Sequence, residues 1–143
     1  MYILFICKSN QFRSQMAEAL YNKMTGTTDA RSAGTYVGSS DEPEGTIIST
    51  RFQSPDFFEL MEEHGMHIRD NRTIRLTPQM VEDADIVVSM AEDPFVPEYL
   101  RASTAVRYWN IDNPKVATRE VSERTLQQVR RLVEDLIAAE RGN

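Results

Sequence analysis

One cysteine, Cys7, is all the chain has in 143 residues. No intramolecular disulfide can form, and a lone reactive thiol suits a reducing compartment, so a cytoplasmic location is expected. Histidine is nearly as scarce. His64 and His67 stand together at a helix end, read as surface residues, and no cluster with metal-ligand spacing surrounds them. Neither a metal nor a cofactor is therefore expected. No apolar run approaches the roughly 20 residues that cross a bilayer, and the first apolar segment reads as a core strand with no room for a signal peptide. Positive charge is also in deficit, 16 Lys and Arg against 22 Asp and Glu, for a net charge of −6. That argues against nucleic acid or an anionic membrane as a general partner. Repeats and low-complexity tracts are missing, and the length suits one domain over residues 1–143 with a substantial core.

What is there is concentrated at the start. Ile3, Leu4, Phe5 and Ile6 form a short continuous apolar run, the pattern of a strand buried on both faces of a parallel sheet. Cys7 ends that run, the polar residues Lys8, Ser9, Asn10 and Gln11 follow, and Phe12 and Arg13 precede Ser14. Met16, Leu20 and Met24, with Ala17 and Ala19, then mark an apolar helix face. A strand, a tight loop and a helix start therefore bring the only thiol and a guanidinium into one loop. Backbone N–H groups turned inward, together with a helix N-terminus, make such a loop an anion site, and they favour the nucleophilic thiolate. Arg13 offers a planar fork for two oxygens of a phosphate-like group. Ser14 can donate to the thiolate or cap the helix. A buried cysteine is often only a small hydrophobe. Its place at the strand-to-helix switch favours catalysis here.

Downstream, strand and helix patterns alternate, which predicts a parallel sheet covered on both faces. Strands are expected at 29–33, 86–88 and 105–109, and a closing helix from about Ser122 carries Leu126, Val129, Val133 and Leu136 on one face. Ser54-Pro55 and Thr77-Pro78 read as helix starts, with Gly65 ending the first. Residues 39–50 are the most loop-like stretch. Ligands in such open sheets sit beyond the carboxyl ends of the strands, which gathers the loops after Ile6, Ala33, Ser89 and Trp109 around one site.

The stretch Cys7 to Glu18, CKSNQFRSQMAE, resembles the signature loop of low-molecular-weight protein tyrosine phosphatases and of their sister family, the thioredoxin-coupled arsenate reductases. Ser32-Ala33-Gly34-Thr35, Leu76-Thr77-Pro78 and Ala84 to Met90 extend the resemblance along nearly the whole chain. It implies an α/β three-layer sandwich with a four-stranded parallel sheet in the order 2-1-3-4. It further implies Cys7 as nucleophile, Arg13 as oxyanion fork and Asn10 as a brace of the loop. Lys8, Ser9, Gln11, Phe12 and Ser14 would complete the substrate loop, and Tyr36 could add an aromatic wall. Residues 39–50 look longer than the matching stretch in those families.

Two departures bear on activity. Both families keep an Asp-Pro pair in the loop after the fourth strand, whereas this chain has Asn113 before Pro114 and its carboxylate one step earlier, at Asp112. Asp112 is the expected general acid, ahead of Asp93 in Glu92-Asp93-Pro94, which reads as a turn or solvated residue. Lys115 and Val116 also stand where the phosphatases usually carry aromatics. The reductases keep two later cysteines, but this chain has Ala91 where the first would fall and none after Cys7. Hydrolysis of phosphate monoesters, phosphotyrosine-type, through a phosphocysteine is therefore the expected activity, on a phosphate ester or phosphoprotein. Arsenate reduction with an external small thiol or redoxin is the alternative, and a phosphate- or phosphoprotein-binding module is the second. A cysteine–histidine hydrolase would leave Arg13 and the anion-shaped loop unexplained.

Overall fold

In the computed structural model, which describes residues 1–142, the elements alternate as the pattern predicts. They are β1 (Ile3–Cys7), α1 (Arg13–Thr25), β2 (Ala30–Gly34), α2 (Ile48–Arg51), α3 (Pro55–Glu63), α4 (Pro78–Asp83), β3 (Ile86–Ser89), α5 (Glu98–Arg101), β4 (Val106–Tyr108) and α6 (Arg119–Glu140). The four strands form one parallel sheet in the order β2-β1-β3-β4.

The central strand explains the layering. Its residues are all buried, and successive side chains leave on opposite faces, as strand geometry requires. Ile3, Phe5 and Cys7 join the larger core, with Met16, Leu20, Phe57, Met61, Val129 and Val133 from α1, α3 and α6. Leu4 and Ile6 join the smaller one with Val87 and Leu100, against Met80, Val81 and Tyr99 from α4 and α5. Cys7 thus ends the strand on the side of the large core.

Several local expectations shift. On α1 the apolar face runs through Tyr21 rather than Met24, because Tyr21 is buried and Met24 is at the surface. Ser54 precedes α3 without capping it, and its hydroxyl instead donates to the Ala117 carbonyl across the core. Thr77 does cap, accepting from the Met80 N–H, and Thr118 does the same for α6 from Val121. The closing helix therefore begins at Arg119, three residues before Ser122. Residues 39–50 are not wholly loop. They end in α2, and Ile47 bridges Arg72 in antiparallel fashion.

Candidate active site

The loop from Cys7 to Arg13 turns through Asn10, whose φ of 56° lies in the left-handed region that asparagine tolerates better than most residues. That turn aims the Asn10 N–H at the Cys7 sulfur, 3.3 Å away. The Asn10 side chain is wholly buried and fully used. Its Nδ2 donates to Ser14 Oγ at 2.8 Å and Ser32 Oγ at 2.9 Å, and its Oδ1 accepts from the Ile74 N–H at 2.9 Å.

Ser14 Oγ lies 3.0 Å from Cys7 Sγ. Because this oxygen already accepts from Asn10, its own hydrogen is free for the sulfur. Of the two roles open to Ser14 in the sequence, the thiol contact is the one made. Phe12 stands at the N-cap position of α1, and no side chain caps it.

The motif Ser32-Ala33-Gly34-Thr35 supports the loop from behind. Ser32 holds Asn10, while the Thr35 and Tyr36 N–H groups donate to the carbonyls of Cys7 and Lys8, each at 2.9 Å. Gly34 allows this approach, since a Cβ there would lie 2.8 Å from the Lys8 carbonyl oxygen and 3.1 Å from Asn10 Cβ. Residues 74–76 lace onto the same place, with Gly34 N–H donating to Ile74 and Leu76 N–H donating to Gly34. Burial pushes the carboxyl of Glu18, on α1, above the usual carboxylate range, and Ser32 and Arg31 partly offset this.

This convergence makes Asn10 the stability-critical residue of the loop. Asn10→Ala is expected to cost about 2–4 kcal/mol in urea unfolding, because it strands buried donors and acceptors at a positive φ. A cost near zero would show that the loop is held by its backbone alone.

Arg13 is 2% exposed and spans the ends of two strands. Its Nη1 donates to the Met90 and Ile111 carbonyls, after β3 and β4 respectively, and lies 2.8 Å from Glu92 Oε2. Glu92 Oε1 also accepts from Asn113 Nδ2 at 3.2 Å. The guanidinium is thus a crosspiece between the two loops as well as a wall of the pocket.

That pocket is lined by Cys7, Ser9, Gln11, Phe12, Arg13, Phe52, Asn113 and Pro114. Phe12 stacks on Phe52 at 5.3 Å and meets the edge of Phe57 at 4.7 Å. The remaining expected residues stand elsewhere. Lys8 lies over the rings of Phe95 and Tyr36, 4.2 and 5.1 Å from their centroids, and Tyr36 donates to Asp41. Asp93 pairs with Arg101 at the surface. His64 and His67 are exposed, with His64 Nδ1 3.5 Å from Arg130.

Asp112 does not line the pocket of the thiol. It lines a neighbouring groove with Arg124, Thr125 and Gln128, and the residue at the thiol pocket is Asn113. Asp112 and Asn113 are adjacent in sequence yet line different pockets. Phe52 carries no sequence signal for its place, since it depends on how residues 39–52 fold back over the loop. Among the described residues no metal-binding cluster of His, Cys, Asp or Glu occurs, and no helix is long and apolar enough to cross a membrane.

The profile of the low molecular weight phosphotyrosine protein phosphatases matches residues 2–141. The chain belongs to that family. Within it, the chain is 27% identical to an arsenate reductase of Bacillus licheniformis, over 90% of this chain and 86% of that one. It is 28% identical to a glutaredoxin arsenate reductase of Synechocystis, over 95% of each. Among solved structures, a low molecular weight protein tyrosine phosphatase from T. tengcongensis superposes with a TM-score of 0.76 at 27% identity, covering 97% of this chain and 99% of that one. An arsenate reductase in its phosphate-binding state gives 0.71 at 25% identity, covering 97% and 98%. The family's α/β fold and its four-stranded parallel sheet are those expected from the signature loop. Both phosphatases and arsenate reductases appear among the relatives, and this chain is an enzyme of one or the other kind.

Proposed function

We propose that the protein is a cysteine-dependent phosphatase acting through a phosphocysteine. Cys7 thiolate attacks phosphorus in line, while the loop N–H groups and Arg13 hold the equatorial oxygens. The S–P bond forms as the P–O bond to the leaving group breaks, and water then attacks the phosphocysteine, releasing phosphate and regenerating the thiolate. The observation that carries this reading is the sulfur's setting: one thiol, with the Asn10 N–H and Ser14 hydroxyl on it, in a pocket shared with Arg13. Phe12 and Phe52 beside it suit an aryl group. In this proposal Ser9 and Gln11 line the substrate space, Lys8 and Tyr36 form an outer rim with Phe95, and Asp112 takes no part in proton transfer.

Arsenate reduction is the second reading, favoured by the names of the curated relatives. Resolving an arseno-cysteine adduct requires further thiols. The chain has none after Cys7, so a small thiol or a redoxin would have to supply them.

The deciding experiment measures release of nitrophenol from nitrophenyl phosphate and, in parallel, arsenite formation with glutathione, glutaredoxin or thioredoxin. Cys7-dependent nitrophenol release without arsenite formation is the expected outcome. Arsenite formation with any donor, and no ester hydrolysis, would replace the phosphatase by the reductase. Phosphate binding without either reaction would leave a binding module.

A further inference from the structure

We infer that the compounds turned over at Cys7 are those whose leaving group departs as a stable anion without receiving a proton, acyl phosphates first among them. This rests on the phosphatase reading and narrows it. Among the described residues no carboxylic acid lines the pocket of Cys7 and Arg13. Each nearby carboxylate either lines another groove or is engaged by another side chain. Asp112 faces the groove with Arg124, and Glu92 is held by Arg13 and Asn113. Asp93 pairs with Arg101, and Asp41 accepts from Tyr36. The side chain that does line the pocket from the loop after β4 is the Asn113 amide, whose Nδ2 is already given to Glu92. An amide has no proton to transfer at neutral pH.

A missing acid does not penalise all substrates alike. A tyrosyl leaving group has a conjugate acid of pKa about 10, and a carboxylate one of about 4. The phenoxide needs a proton in the transition state, help worth about 10²–10⁴-fold, whereas the carboxylate needs none. With an acyl phosphate, Cys7 sulfur bonds to phosphorus and the carboxylate leaves with the P–O electron pair. Water then attacks the phosphocysteine, the thiolate departs, and the second proton of the water remains on a phosphoryl oxygen. An acyl phosphate dianion and water thus give a carboxylate and dihydrogen phosphate, and no external acid or base is consumed.

The test is a leaving-group series run on the wild type, on Asn113→Asp and on Cys7→Ser as the blank. It uses acetyl phosphate and aryl phosphates from nitrophenyl to unsubstituted phenyl. The wild type is expected to turn over acetyl and nitrophenyl phosphate and to slow steeply toward phenyl phosphate. Asn113→Asp, which returns a carboxyl to the pocket, is expected to raise the ratio of phenyl to acetyl phosphate turnover by about 10²–10⁴-fold. A wild-type rate independent of leaving-group basicity overturns the inference and shows that an acid is at work. A steep slope appearing only in Asp112→Asn would then name that acid. The wild-type slope decides the point even where Asn113→Asp fails to fold. Turnover of every phosphoryl compound equal to the Cys7→Ser blank would instead overturn the phosphatase reading, and this inference with it.

Discussion

Cys7→Ser is expected to reduce kcat for aryl phosphates by a factor on the order of 10⁴ or more, with the fold unchanged. The reason lies in the nucleophile's environment. The sulfur receives the Asn10 N–H at 3.3 Å and faces Ser14 Oγ at 3.0 Å. With those donors on it, a thiolate attacks phosphorus directly. They do far less for a serine hydroxyl, which needs a base that this pocket does not line. The same contacts accept an oxygen in place of sulfur, and the site is small and buried, so the melting temperature should move little. Stopped-flow measurement of nitrophenol release from nitrophenyl phosphate, with circular dichroism on both proteins, checks this. A Cys7→Ser enzyme retaining a tenth of wild-type kcat would exclude covalent catalysis at Cys7.

Arg13→Lys is expected to lower kcat by about 10²–10³-fold, the cost of losing one preorganised donor to the oxyanion. Lysine keeps the positive charge but not the planar fork. In this fold the fork has two duties: it walls the pocket and ties the carbonyls of Met90 and Ile111 and the carboxylate of Glu92 together. A single ammonium cannot span the β3 and β4 loops and the pocket at once. Some stability should be lost as well, because a buried carbonyl left without its donor costs about 1–3 kcal/mol. The kinetic split separates the duties. Lower stability with kcat intact would make Arg13 a crosspiece only.

Much of the framework was legible in the residues. The apolar run before Cys7 and the alternation of strand and helix patterns predict a doubly covered parallel sheet. The signature loop added the strand order that the structure adopts. The resemblance marks Asn10 as a brace, and its side chain bonds residues 4, 5, 22 and 64 positions away. Thr77 caps as its Thr-Pro pair suggests, whereas Ser54, with the same local signal, bonds Ala117 instead. Nothing local distinguishes those two sites. The difference is that a carbonyl from the far end of the chain reaches one and not the other.

The chemistry at the pocket divides the same way. Sequence alone determined that the protein has one thiol, placed six residues before an arginine at a strand-to-helix turn, and none to pass electrons on to. These are facts of composition and local spacing, which no packing can alter. Tertiary structure alone decided which side of the loop after β4 faces that thiol. It turned Asn113 inward and Asp112 toward α6, tied Glu92 to Arg13, and laid Phe52 against Phe12. Each of those outcomes depends on where separate segments meet, and side chains one residue apart can then serve different pockets.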